Sequence, residues 1–285
     1  ISAVVTNPDK PKGRGMKMTV SPVKEFALEK NLKIFQPLRV RKNEEFIAEI
    51  KKLQPDLLCV VAYGKILPKE LLDIPKYGAI NVHGSLLPQY RGAAPIQWAV
   101  LNGDKKTGIT TMFMDEGMDT GDMILKEETE IGDNETTGEL WERLSKIGSK
   151  LLVETINKID CVKNKENKSL DEIKEEIGAE KQGGNYSLAP MLNKEMAKID
   201  WQKKGVEIKN LVRGLNPIMG AYCFLENKKI KLWKVQVLNL EELEQKFSEI
   251  KDYMPRMKNV EPGTVLFADK KKGLFVKTTD GVLEI

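Results

Sequence analysis

The chain has 285 residues, with 46 Lys and Arg against 42 Asp and Glu, a formal net charge of +4 and an apolar share of 41%. That length allows one large or two ordinary domains with real cores, and no run of about 18 apolar residues is present to span a bilayer. Cys59, Cys161 and Cys223 are odd in number and lack metal-ligand spacing, so they read as buried or incidental thiols in a reducing, cytoplasmic setting with no metal.

Residues 1–6 read as a strand, too short for a signal peptide and followed at once by Asp9-Lys10-Pro11-Lys12. Residues 7–23 form a loop rich in Pro, Gly and Lys. Its Gly13-Arg14-Gly15 lacks both the Gly-x-Gly-x-x-Gly spacing and the Gly-Lys-Ser/Thr ending of phosphate loops. Ser21-Pro22 opens a helix to about Glu29, with serine as cap and proline in the first turn. Residues 32–36 read as a strand, and 44–53 as an amphipathic helix with Phe46, Ile47, Ile50 and Leu53 inward. The nearly continuous apolar run at 56–62 predicts a central parallel strand covered on both faces. Tyr63-Gly64 ends it, and residues 68–72 make a short helix. Residues 79–83 form a short buried strand that breaks into a loop, because Gly84, Pro88 and Gly92 cannot all continue a regular element.

Further on, 94–101 is a helix with Trp98 packed, and 108–114 a strand whose Met112 and Met114 read as core. Residues 123–131 form an antiparallel strand. A long helix follows at 137–159, its apolar positions being Leu140, Trp141, Leu144, Ile147, Leu151 and Leu152. Residues 163–184 are highly charged and end in Gly183-Gly184; they read as a linker or small surface insertion without a function. Strands alternating with helices predict an α/β fold with a doubly wound, mostly parallel sheet. Such sheets bind ligands at the carboxyl ends of their strands. Ala62-Tyr63-Gly64, His83-Gly84-Ser85 and Met114-Asp115 are therefore expected to converge on one crevice. From Asp200 the texture changes to a helix at 206–215 and short strands at 221–225, 229–237, 263–268, 274–278 and 281–285, which suggest a small barrel. Residues 201–285 carry 16 Lys and Arg against 11 Asp and Glu. That excess fits either a solvated lysine-rich surface or a face for a polyanion such as RNA.

The most informative stretch is Asn81-Val82-His83-Gly84-Ser85-Leu86-Leu87-Pro88-Gln89-Tyr90-Arg91-Gly92. In a strand, residues two apart share a face, so Asn81 and His83, the sole histidine, point the same way. A lone histidine beside apolar residues is most often a satisfied structural group. Here Asn81 can donate toward developing negative charge, and glycines let a ligand approach the backbone. The acidic loop Asp115-Glu116-Gly117-Met118-Asp119-Thr120-Gly121-Asp122 offers a carboxylate for the imidazole. Together these groups suit acyl-type transfer. In that loop, Asp115, Glu116 and Asp122 read as turn carboxylates that cap backbone amides.

Asn81-x-His83, then Ser85-Leu86-Leu87-Pro88-x-x-Arg91-Gly92, then Asp119-Thr120-Gly121-Asp122 resemble the 10-formyltetrahydrofolate-dependent formyltransferases over nearly the whole chain. Arg91-Gly92-Ala93-Ala94-Pro95-Ile96-Gln97 and the Gly13-Arg14-Gly15 loop are similar to the methionyl-tRNA formyltransferases within that family. The resemblance implies a Rossmann-like catalytic domain at 1–162, a linker or insertion at 163–199, and an oligonucleotide-binding-like tRNA-binding barrel at 200–285. It also implies a strand and a Gly-Thr-Pro loop upstream of Ile1, so that the chain is truncated at its N-terminus, and a last barrel strand beyond Ile285.

On the same resemblance, Asn81, His83 and Asp119 are catalytic. Ser85, Leu86, Leu87 and Pro88, with Ala62, Tyr63 and Ile66, would bind 10-formyltetrahydrofolate as formyl donor. Arg14, flanked by Lys12 and Lys17, would meet the acceptor arm of initiator methionyl-tRNA, since a guanidinium pairs with phosphate and stacks on an unstacked base. Arg91 either steers the anionic folate tail or ties its loop down. The expected reaction is formyl transfer to the methionyl α-amino group by a monomer, through a tetrahedral intermediate. Two other readings stand beside it: formyl transfer to another amine (glycinamide ribonucleotide or a nucleotide sugar), and an inactive RNA-binding module.

Overall fold

A computed structural model describes residues 1–12, 17–163, 168–246 and 259–285. The chain divides into two compact units. One comprises Ile1–His83, Ile109–Glu127 and Gly148–Tyr186; the other comprises Gly84–Gly108, Glu128–Ile147 and Ser187–Ile285.

In the first unit, β1 (Val4–Val5) leads to a hairpin of β2 (Lys10–Lys12) and β3 (Lys17–Thr19), where a plain loop was expected. Helix α1 (Pro22–Glu29) starts as its sequence predicts, the Ser21 hydroxyl accepting from the Lys24 amide at 3.2 Å. Strand β4 (Ile34–Phe35) pairs parallel with β1. Helix α2 (Glu44–Lys52) is capped by Asn43 and buries Phe46 and Ile50. Strand β5 (Leu58–Val61), the short helix α3 (Lys69–Leu72) and strand β6 (Ala79–His83) follow. Phe46, Ile50, Leu71, Leu72 and Ala79 form one core cluster.

Helix α4 (Pro95–Leu101) precedes β7 (Lys106–Phe113) and β8 (Met123–Glu130). These strands complete a four-stranded sheet of order β5-β6-β7-β8. β5 is thus an end strand of this sheet, not the covered central strand expected from its apolar run. Cys59 and Val61 lie exposed on one face, while Leu58 and Val60 join the core on the other. Of the two readings of the thiols, burial does not hold, since Cys59 and Cys161 are exposed and Cys223 half-buried. Met112 is core as expected, at 2% exposure.

The direction of β7 is a further correction. β5 and β6 run parallel, but β6 and β7 are antiparallel, with Ile80 opposite Phe113 and His83 opposite Thr110. Ala62-Tyr63-Gly64 and His83-Gly84-Ser85 are therefore neighbouring strand ends. Met114 lies at the other end of β6, its amide donating to the Ala79 carbonyl at 2.8 Å. Helix α4 is a reason for this: it packs on a later helix (α7, below) rather than acting as a βαβ crossover.

The long helix α5 (Thr137–Lys163) runs four residues past its expected end. Its Ile159 and Val162 pack with Ile80, Phe113 and Ile124. The charged stretch at 163–184 also departs from expectation, because it contains α6 (Leu170–Glu176), started by a reciprocal Ser169/Glu172 cap. Ile173 and Ile177 are buried in the same cluster as Ile80 and Phe113. Two apolar residues one helical turn apart suffice to anchor a helix whose other positions are charged. Ile173→Ala is expected to cost about 2–5 kcal/mol, read as a lowered urea midpoint at unchanged slope.

In the second unit, α7 (Gly205–Gly214) approaches α4 closely: a methyl on Gly214 would lie 2.8 Å from Leu101 Cδ2. Strands β9 (Ala221–Leu225) and β10 (Lys228–Leu232) form a hairpin. The single strand expected at 229–237 is instead β10 and a separate β11 (Gln236–Leu238). Helix α8 (Leu240–Lys246), not foreseen, buries Leu243. β12 (Val265–Asp269), β13 (Gly273–Lys277) and β14 (Val282–Glu284) join β11 in an antiparallel sheet of order β11-β14-β13-β12. Leu238, Leu243, Phe275 and Val282 form its core. Among the described residues no helix is long and apolar enough to cross a membrane.

Candidate active site

Strand β6 sorts its side chains by parity. Ile80 packs into the cluster that holds α5 residues, and Val82 lies against Gly148 of α5. Asn81 and His83 therefore fall on the opposite face, as the sequence predicts. His83 is 5% exposed and Asn81 half-buried.

Although the loop after β7 starts at the far end of β6, it folds back. His83 Nδ1 and Asp119 Oδ1 are 3.7 Å apart, with Asp119 17% exposed. That separation is an ion-pair distance, longer than a hydrogen bond. Asp119 has φ +53°, the left-handed region that Asp tolerates better than most residues. The loop is held from within and without. Asp115 Oδ1 accepts from the Gly117 amide at 2.9 Å and the Thr120 hydroxyl at 2.7 Å, and the Phe113 amide donates to the Asp122 carbonyl at 2.8 Å. Asp122 Oδ2 pairs with Lys174 Nζ of α6 at 3.1 Å. Gly121 admits no side chain, since a Cβ there would sit 1.9 Å from the Phe113 carbonyl oxygen. Asp115 thus caps a backbone amide of its own turn, as expected of it, whereas the Asp122 carboxylate pairs with a lysine instead.

Gln182 was not singled out in the sequence. Its Nε2 donates to the carbonyl oxygens of Asp119 at 2.9 Å and Gly121 at 2.8 Å. A polar residue just before Gly183-Gly184, in a stretch of high charge, carries no local pattern that would have found it.

At the end of β5, Ala62 has φ +46° and is exposed, Tyr63 is half-buried, and Ile66 is 66% exposed. The Tyr63 hydroxyl is buried without a hydrogen-bond partner among the described residues, and burial pushes its pKa up. Asn7 Nδ2 donates to the Tyr63 carbonyl at 3.1 Å. Of the loop that follows β6, two side chains expected to bind ligand are used internally. The Ser85 hydroxyl donates to the Gln89 carbonyl at 2.5 Å, and Leu87 is 1% exposed. Leu86 and Pro88 are half-buried. The Tyr90 phenol donates to Asp104 Oδ2 at 2.5 Å; burial first, and this bond second, push its pKa up to about 12. Arg91 ties the loop down by its backbone, donating to the Ser187 carbonyl at 2.9 Å and accepting from the Ala189 amide at 2.7 Å. Lys12 and Lys17 lie in the hairpin strands, but their side chains and all of Arg14 fall outside the described residues.

A groove of about 190 Å³ in the second unit, lined by Ala94, Gln97, Met191, Leu215 and Ile218 among others, contains no titratable side chain. It offers apolar contact but no acid–base chemistry. The imidazole–carboxylate pair beside a half-buried carboxamide is a different kind of arrangement. It can stabilise an oxyanion, move protons and keep an imidazolium charged and oriented.

Residues 1–156 match the model of the formyl transferase family, and residues 191–285 that of the formyl transferase C-terminal domain. The chain is 46% identical over 284 residues to the methionyl-tRNA formyltransferase of Clostridium tetani, covering 99% of this chain and 82% of that protein. It is 51% identical over 241 residues to the enzyme of the same name from Acetivibrio thermocellus, covering 85% and 73%. Among solved structures, WlaRD, a sugar 3N-formyl transferase crystallised with dTDP and 5-N-formyl-THF, is similar in fold. Its TM-score is 0.63 at 19% identity, over 99% of this chain and 86% of that one.

Proposed function

The chain belongs to the formyl transferase family, and we propose that Asn81, His83 and Asp119 are its working groups. The reaction moves a formyl group from 10-formyltetrahydrofolate to the α-amino group of methionyl-initiator tRNA. The observation that carries the reading is the 3.7 Å approach of Asp119 to His83 from a loop that begins at the opposite end of β6. The fold keeps that loop in place with three separate anchors.

As the amine attacks, negative charge grows on the formyl oxygen. The Asn81 carboxamide donates to it. The His83 imidazole, neutral as the amine attacks, takes the proton the amine must lose, donates to the oxyanion as the imidazolium so formed, and gives that proton to the departing folate nitrogen. Asp119 orients the ring and stabilises the imidazolium. Asn81→Ala is expected to lower kcat about 10²-fold, the usual cost of one oxyanion donor, with KM for both substrates and the melting temperature little changed.

The folate donor fits the end of β5. A flat heterocycle needs apolar walls, and the exposed Ala62 and Ile66 beside the half-buried Tyr63 supply them. For the tRNA, Arg14 with Lys12 and Lys17 supplies one basic stretch of sequence, and the net positive 201–285 segment a second.

The identity to methionyl-tRNA formyltransferases over the full chain favours this acceptor over a nucleotide sugar, for which the solved neighbour supports only the fold. Parallel assays with methionyl-initiator tRNA, glycinamide ribonucleotide and a dTDP-amino sugar test it. Turnover confined to either small amine would overturn the tRNA assignment.

A further inference from the structure

We propose that Gln182 is a positioning residue for the catalytic carboxylate, an inference that rests on the role given to Asp119 above. One side-chain amide, from a segment sixty residues downstream, donates to the Asp119 and Gly121 carbonyls. Those carbonyls bracket the Asp119–Gly121 turn and so fix the backbone rotation that aims the Asp119 side chain. The clamp is backed by two further contacts from the same segment. Glu180 and Met123 exchange backbone hydrogen bonds of 2.8 Å in both directions, and Lys174 pairs with Asp122. Helix α6 is itself rooted in the core by Ile173 and Ile177. The charged stretch that reads as a linker thus works as a bracket for the reaction centre. Asp119 sits at φ +53°, a sparsely populated region that persists where surrounding contacts hold it. A donor that holds both carbonyls supplies such contacts. Gln182 is uncharged, so it acts on where the carboxylate points and adds no net charge beside the imidazole.

The test is kinetic, on the full chain. Gln182→Ala is expected to lower kcat by roughly 10- to 100-fold, the size of effect that a misplacement of about 1 Å produces, with KM for tRNA and folate held within twofold. Gln182→Glu, of nearly the same shape but with no protons to donate at neutral pH, is expected to do the same and serves if the alanine variant folds poorly. A merely structural role is separated by repeating both changes in the Asp119→Asn background. Groups that act as a unit are non-additive, so there they should cost no further activity. A loss of equal size in that background overturns the proposal, as does a folded Gln182→Glu enzyme with wild-type kcat. The two readings fail differently: if Asp119→Asn alone is fully active, the catalytic assignment falls; if it is inactive while the Gln182 variants are normal, only the bracket does.

Discussion

Replacing His83 by alanine is expected to lower kcat for formyl transfer about 10³-fold, inside the range of about 10² to 10⁴ typical of a positioned acid–base group. The reasoning starts from burial. At 5% exposure, the ring at the end of β6 has been taken out of water in a protein that offers no other imidazole to replace it. Alanine removes the oxyanion donor and the proton carrier together and leaves a small void, so some loss of stability is expected alongside. His83→Asn separates the roles, since its carboxamide can still donate but does not titrate. It should recover part of the stability and at most about tenfold of the rate. Pre-steady-state formylation of methionyl-tRNA, with melting temperatures for each variant, reads both effects. An asparagine enzyme within threefold of wild type would remove proton transfer from the role of His83.

How far the site could be read from sequence depended on whether the information was local. The parity that puts Asn81 and His83 on one face is a property of any strand, and the Ser21 cap of α1 is a property of four residues. Both stand in the structure as expected. The direction of β7 was not local. A strand–helix–strand pattern reads as a parallel unit, yet α4 packs on α7, and β7 returns antiparallel to β6. The expectation that Met114-Asp115 would join the other strand ends failed for that reason, while the partnership of Asp119 with His83 came about by a different path, a loop folded back. Helix α6 was hidden by its composition. Ile173 and Ile177 are two core anchors among charges, and their worth appears only once Ile80 and Phe113 are seen beside them. Ser85 and Leu87 show a layer the motif did not reveal, since their side chains hold up the loop that carries them.

Asp119→Asn is the second large expected effect, a fall in kcat of about 10³-fold in a protein that folds normally. The substitution is unusually clean at this position. Asparagine tolerates φ +53° as well as aspartate does, so the turn and its bonds to Gln182 should survive, and what is lost is the charge 3.7 Å from His83 Nδ1. An opposite charge at that range favours the imidazolium and fixes its orientation, and the neutral amide supplies neither in the same degree. Asp119→Ala would confuse the issue, because alanine resists the left-handed region and the turn could rearrange. Asp119→Glu keeps the charge but adds a methylene, which shifts the carboxylate within a loop that Gly121 leaves no room to adjust. Its expected loss is about 10²-fold, the cost of displacement without loss of charge. The order wild type, then Glu, then Asn therefore tests the charge itself. An asparagine enzyme as fast as wild type, or one faster than the glutamate enzyme, would mean that the carboxylate beside the imidazole is not what drives the transfer.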